Sequence, residues 1–202
     1  MARKGTAREI FIERVSAIFM KEGLRTTMDE ISKRLKISKR TIYEQFEDKT
    51  DLIRSCVLHM QKQMPPYIEI KKGEIVPYLH DLLDNHVRGM FGEPACFILN
   101  LQAEYPELYT ELIEPLLEKT KSNLISVLKK GVPGGYVRPG FDTELLFSYM
   151  IKFVFLIASD NDNMGKSHTL DDIFNHSLML VLRGILTEKG IEALENITEN
   201  KK

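Results

Sequence analysis

Cysteine is scarce in this chain of 202 residues: only Cys56 and Cys96 are present. Two thiols are too few for a disulfide framework, and they suit a reducing compartment. Long hydrophobic runs are missing as well. The longest apolar stretch, Leu145 to Ala158, is interrupted by Ser148 and Lys152. It is shorter than the roughly 20 residues that a bilayer-spanning helix needs, so no membrane association is expected. The first apolar residues, Ile10, Phe11 and Ile12, are flanked by charges and do not read as a signal peptide. The expected setting is therefore the cytoplasm.

Strand signals are nearly absent too. Apolar residues recur at three and four positions in almost every window, which predicts an all-α protein of about nine helices. The five histidines, His59, His80, His86, His168 and His176, form no pair at metal spacing on one helix. No nucleophile stands beside a base. An enzyme is therefore disfavoured, and neither a metal nor a cofactor is expected. Gly165-Lys166-Ser167 echoes the end of a phosphate loop, but Asp160 stands where the essential glycine is needed and no strand precedes it. Asp160, Asp162, Gly165 and Asp171 echo a calcium loop, yet Met164 replaces an oxygen ligand. Both segments read more simply as an ordinary acidic loop. Cys56 and Cys96 read as small hydrophobes before they read as oxidant sensors.

Charge is present but unevenly placed. Residues 1–50 carry 12 Lys/Arg and 8 Asp/Glu, a net of +4, and residues 51–202 carry 16 and 21, a net of −5. A basic head on an acidic body suggests that the head meets a polyanion. The expected division follows the same line: a DNA-binding domain over 1–50, and a helical ligand-sensing and dimerisation domain over 51–202.

The head is punctuated by caps. Thr6-x-x-Glu9 opens a first helix, and Gly23 closes it at a position that often needs a positive φ. Thr27-x-x-Glu30 opens a second helix with Met28, Ile31 and Leu35 on one face. Ser38 opens a third, with Ile42, Tyr43 and Phe46 turned inward, and Asp48 a fourth that must end near Met64, before Pro65-Pro66. Helices two and three are each too short to stand alone, and helix one supplies the face they pack on. This is the helix-turn-helix arrangement, in which the second helix of the pair enters the major groove. Ser38, Lys39, Arg40 and Thr41 occupy its first turn, where polar side chains can reach base edges. Lys33, Arg34, Lys36 and Lys49 can meet phosphates, or can simply form a solvated face.

The segment from Gly23 to Leu52 resembles the DNA-binding signature of the tetracycline-repressor (TetR) family of bacterial transcription regulators. The family pattern is met by Gly23, Thr27, Ile31, Ser38, Ile42, Tyr43, Phe46 and Lys49. The match covers about residues 6–55 of the chain. Two positions depart from it: Lys36 stands where the turn usually has glycine, and Ser32 where alanine is usual. A left-handed backbone at Lys36 would cost roughly 1 kcal/mol. Arg40 also holds a place often taken by glycine, so base preference does not carry over. The resemblance implies that Thr27, Ser38, Thr41, Tyr43, Gln45 and Lys49 touch the DNA backbone. Lys39, Arg40 and Thr41 would touch bases. Tyr43 can instead pack against helix one, and its ring and hydroxyl allow both roles.

Beyond the head, helices are predicted over Val76 to Phe91, Pro94 to Glu104, and Pro106 to Lys130 with a kink at Pro115. After a loop at Gly131–Gly135 come helices over Asp142 to Ser159 and Thr169 to Lys189. Gly190 is the expected stop, before a polar tail. Helix 142–159 is apolar all round and must be covered on every side. Together with the last helix it forms the family's dimer bundle, so the resemblance implies a homodimer on double-stranded DNA. The resemblance also implies a small-molecule cavity. Its candidate lining is Cys56, His59, Met60, Gln63, Phe91, Cys96, Phe97, Tyr109, Leu112, Leu116 and Phe153, which would suit a hydrophobic or amphipathic ligand. The expected function is a repressor released from a palindromic operator by such a ligand. A regulator switched by a protein partner, and more remotely a helical-bundle enzyme or carrier, are the alternatives.

Overall fold

The computed structural model describes residues 7–63, 75–82, 84, 92–159 and 168–199. The described residues form eleven helices: α1 (Ala7–Glu22), α2 (Met28–Leu35), α3 (Lys39–Tyr43), α4 (Lys49–Gln63), α5 (Ile75–Asp81), α6 (Glu93–Glu104), α7 (Pro106–Leu112), α8 (Glu114–Gly131), α9 (Thr143–Ser159), α10 (Leu170–Ile185) and α11 (Glu188–Glu199). An isolated antiparallel bridge joins Val137 to Leu186. The chain divides into two compact units. One comprises Met1–Met64 with Cys96–Pro115, the other Pro65–Ala95 with Leu116–Lys202. The predicted Pro65-Pro66 break and Phe91 lie outside the described residues, as do Asp160 to Ser167.

In the first unit α1 packs on α4 and α2, and α2 on α3. Ile12, Val15 and Phe19 recur along one face of α1. These three and Leu24, Ile31, Ile42, Phe46, Leu52 and Ile53 are all at most 8% exposed. Phe11 stacks on Phe46 with ring centroids 5.6 Å apart, and the Arg8 guanidinium covers Phe46 at 5.0 Å. Gly23 closes α1 at φ 87°, with its N–H donating to the Phe19 carbonyl at 2.9 Å. The α4–α7 contact has two polar ties. Arg54 pairs with Glu111, and Gln61 Nε2 donates to the Leu112 carbonyl at 2.7 Å.

Two helix boundaries differ from the sequence expectation. The span 106–130 is two helices, not one kinked helix: α7 ends at Leu112, and α8 begins at Glu114. Pro115 has no N–H to give the Glu111 carbonyl and its ring would strike it. In the first turn of α8 the missing donor costs nothing. Likewise α10 ends at Ile185, Leu186 turns extended (φ −85°, ψ 148°), and residues 188–199 form a further helix with Gly190 buried inside it.

The second unit explains that later break. The loop after α8 reaches the α10–α11 junction and supplies its hydrogen bonds. Arg138 N–H donates to the Ile185 carbonyl (2.9 Å), and Thr187 N–H to the Tyr136 carbonyl (3.0 Å). Arg138 Nε donates to the Leu186 carbonyl at 2.7 Å, and Thr187 Oγ1 to the Gly135 carbonyl at 2.7 Å. Lys189 lies 4.2 Å over the Tyr136 ring. A β-carbon on Gly190 would collide with the Tyr136 carbonyl oxygen, so glycine there permits close backbone approach instead of stopping a helix. On α9, Phe147, Met150, Ile151, Val154 and Ile157 are buried. Leu145, Tyr149 and Leu156 on α9 and Leu180 on α10 are 64–76% exposed.

Candidate nucleic-acid interface

Local chemistry shapes the α2–α3 pair. Thr27 caps α2 in a complete capping box: its Oγ1 accepts from the Glu30 N–H at 3.3 Å, and the Glu30 carboxylate accepts from the Thr27 N–H at 2.7 Å. These bonds, backbone first, hold the Glu30 carboxyl below the usual carboxylate range, with smaller help from Arg34 and Lys33. α2 ends with Lys36 at φ 56°, ψ 43°. The glycine-type turn is therefore made by a lysine in the left-handed region, at a cost of about 1 kcal/mol. Ser38 then caps α3, accepting from the Thr41 N–H at 3.1 Å, with the two hydroxyls 2.8 Å apart. Asp48 accepts from the Asp51 N–H at 2.8 Å and starts α4.

Ile42 and Phe46 anchor α3 inward, both nearly fully buried. The opposite side of α3 faces solvent. Ser38, Lys39, Arg40, Tyr43 and Gln45 are exposed, as is Thr27 at the start of α2, and Thr41 and Lys49 are half-buried. Tyr43 is 52% exposed, so the inward packing expected beside Ile42 is not what the ring adopts; five residues of helix leave room for one anchor face only. Burial pushes the Lys49 ammonium below the usual lysine range, partly offset by the Glu104 and Glu30 carboxylates. A desolvated cation of this kind gains from an added anion. The eight side chains are thus polar, Lys39, Arg40 and Lys49 among them cationic, and they lie on or beside the α2–α3 pair.

Sequence reasoning missed two carboxylates on this surface. Glu44 pairs with Arg40 (Nε to Oε1, 2.9 Å), and Asp29 pairs with Lys39 across the α2–α3 turn. The first was legible as an i,i+4 pair. The second depends on how the two helices cross and has no sequence signal.

The candidate cavity residues fall in both units. Cys56, His59, Met60, Gln63, Cys96, Phe97, Tyr109 and Leu112 belong to the first, and Leu116 and Phe153 to the second. Cys56 is fully buried against α1, its Sγ 3.9 Å from the Ile12 carbonyl, and burial pushes its thiol up to about 12. Phe97 and Tyr109 are buried, Cys96, His59, Met60 and Leu112 half-buried, and Gln63 exposed. Among the described residues no cluster of His, Cys, Asp or Glu is placed to hold a metal ion, and no helix is long and apolar enough to cross a membrane.

Residues 16–56 match the profile of the bacterial regulatory proteins of the tetR family. That span runs from within α1, through both members of the exposed helix pair, to within α4. Solved structures share the fold over nearly the whole chain. The ketosteroid transcriptional regulator KstR2 of Mycobacterium tuberculosis is 18% identical, with a TM-score of 0.68 over 92% of this chain and 98% of its own. A transcriptional regulator from Saccharomonospora viridis, solved with choline, is 14% identical, with a TM-score of 0.71 over 90% and 98%. FadR from Bacillus subtilis, solved with stearoyl-CoA, is 19% identical, with a TM-score of 0.61 over 89% and 100%. No curated protein sequence matches the chain.

Proposed function

We propose that this chain, a tetR-family DNA-binding transcription regulator by its residues 16–56, works as a homodimeric repressor that leaves a palindromic operator when a small hydrophobic or amphipathic molecule binds its body. Residues 1–50 serve as the reading head, and residues 51–202 as the sensing and dimerising body. One observation carries the reading: a capped, inward-anchored α3 presents Lys39, Arg40 and Tyr43 to solvent. Ser38, Thr41, Tyr43, Gln45, Thr27 and Lys49 then meet the DNA backbone, and Lys39 and Arg40 meet base edges, with Thr41 within reach of both.

Dimerisation is supported by the outward stripe of α9 and α10. Leu145, Tyr149 and Leu156 follow one another at helical spacing, Leu180 is 76% exposed, and Gly184 has open space where a β-carbon would stand. Water against that much apolar surface is unfavourable, and a second copy offers the same stripe by two-fold symmetry. Two heads on such a dimer would read half-sites about 34–36 Å apart or a multiple of it. Ligand control is supported by analogy with regulators of the same fold that were solved with choline and with stearoyl-CoA.

Selection of bound duplexes from a random pool tests the core of this reading. A palindromic consensus is expected, and no enrichment would overturn DNA recognition. A monomer by sedimentation at micromolar concentration would remove the dimer. A thermal-shift screen of lipophilic compounds, with each hit repeated on operator DNA, tests the switch. Hits that stabilise the protein without loosening its DNA would favour control by a protein partner.

A further inference from the structure

The cations of the reading surface are of two kinds. Of the phosphate candidates, Lys33, Lys36 and Lys49 form no ion pair among the described residues and Arg34 pairs with Glu22 at 2.6 Å, whereas Lys39 and Arg40 are each held by a carboxylate of the α2–α3 surface, Asp29 and Glu44 respectively. Both cations assigned above to base contact are therefore paired, each with a carboxylate on the same exposed surface. We propose that Asp29 and Glu44 set specificity, keeping the base-reading cations occupied against indiscriminate phosphate contact until a correct base edge draws them off. The inference rests on the assignment of α3 as the reading helix.

The magnitudes allow such a filter. An exposed i,i+4 pair is worth about twofold in equilibrium, and Arg40 and Glu44 are 88% and 58% exposed. A bidentate arginine–guanine contact discriminates about 5- to 150-fold, so the right base outcompetes Glu44 with little loss. A lone phosphate offers Arg40 a partner much like the one it already has. In a non-specific complex Arg40 is therefore shared between Glu44 and phosphate, and on average releases less than a full counterion. Glu44 also brings its own negative charge towards the backbone, which repels every sequence equally and cancels in the comparison of two DNAs. Asp29 does the same for Lys39 from the neighbouring helix, so the filter spans the turn.

The test uses the full-length protein, the duplex selected by the wild type, and a scrambled duplex, titrated between about 50 and 200 mM salt. Glu44→Gln should tighten binding to scrambled DNA about fourfold, about twofold from the lost charge and about twofold from the released arginine, and steepen its salt slope by up to about one unit. Binding to the selected duplex should tighten about twofold, so the ratio of the two affinities falls. Adding Arg40→Ala to Glu44→Gln should remove the arginine's share of the gain on scrambled DNA, because the released arginine is its source. Asp29→Asn should act in the same sense through Lys39. Equal tightening on both duplexes, a rise in the ratio, weaker binding to the selected duplex, or a gain that survives Arg40→Ala in full would each overturn the proposal. These failures leave DNA recognition standing; a wild type that selects no duplex removes both readings together.

Discussion

The chain turns between two helices in contrasting ways at residues 36–38 and 186–187. The α2–α3 turn is held by its own neighbours. Thr27 and Glu30 cap the first helix, Ser38 caps the second, and Lys36 accepts a left-handed backbone between them. Hydrogen-bond partners there lie within five residues of each other. The α10–α11 junction is held by a loop about fifty residues earlier in the chain. Its bonds come from Gly135, Tyr136 and Arg138, and Gly190 leaves space for the Tyr136 carbonyl. A locally held turn keeps its geometry while its outer face remains free for a partner. A clasped junction commits its surface to the fold. The difference suits the side chains proposed to meet DNA, which stand on the first kind of turn.

Substitutions can break this contrast, and the largest effect should come at the clasp. Gly190→Val places carbon against the Tyr136 carbonyl and the Leu186 side chain. It should destabilise the second unit by about 1–3 kcal/mol or more, read as a lower urea midpoint and as faster hydrogen exchange in α11. An unchanged midpoint would mean that the loop is not clasped there. Thr27→Ala removes a local cap and should cost about 1 kcal/mol, with hydrogen exchange rising in α2 and not in α11. Loss of protection in both regions would show that the turn is not held locally.

Lys36→Gly should act in the opposite direction. It relieves the left-handed lysine, about 1 kcal/mol, and should stabilise the head by up to about 0.6 kcal/mol once the roughly 0.4–1 kcal/mol of freedom glycine adds to the unfolded chain is subtracted. A fall in the thermal midpoint would place the strain elsewhere. The smallest effect concerns pH. The folded-state pKa of Glu30 is depressed, so its contribution is present above the unfolded carboxylate value and is lost as pH falls through the folded one. The wild type should therefore lose head stability more steeply in acid, below about pH 4.3, than Glu30→Gln does. Parallel acid titrations would show that the capping box does not couple to protonation.

The head was largely legible in the sequence because its signals are local. Ser38, Thr27 and Asp48 announced three helix starts, Gly23 announced one end, and each does so through a side chain or a backbone preference within one turn of the break. The candidate site was legible in its members and less so in its pairing. That Arg40 and Lys39 project outward follows from Ile42 and Phe46 pointing in. That Asp29 holds Lys39 does not, since the pair is ten residues apart and spans two helices. Pro115 was seen but read as a kink. Whether a proline bends a helix or begins one depends on where the preceding helix ends.

The sequence by itself determined the helical content, the caps of α2, α3 and α4 and the largely apolar character of α9, because periodicity and capping act over a few residues at a time. Only the tertiary structure decided that residues 188–199 form a separate helix and that Gly190 is an approach site and not a stop. It alone decided that Lys39 pairs with Asp29 across the α2–α3 turn. Each of these depends on a carbonyl, a loop or a charge brought near by packing, and no window along the chain contains both partners.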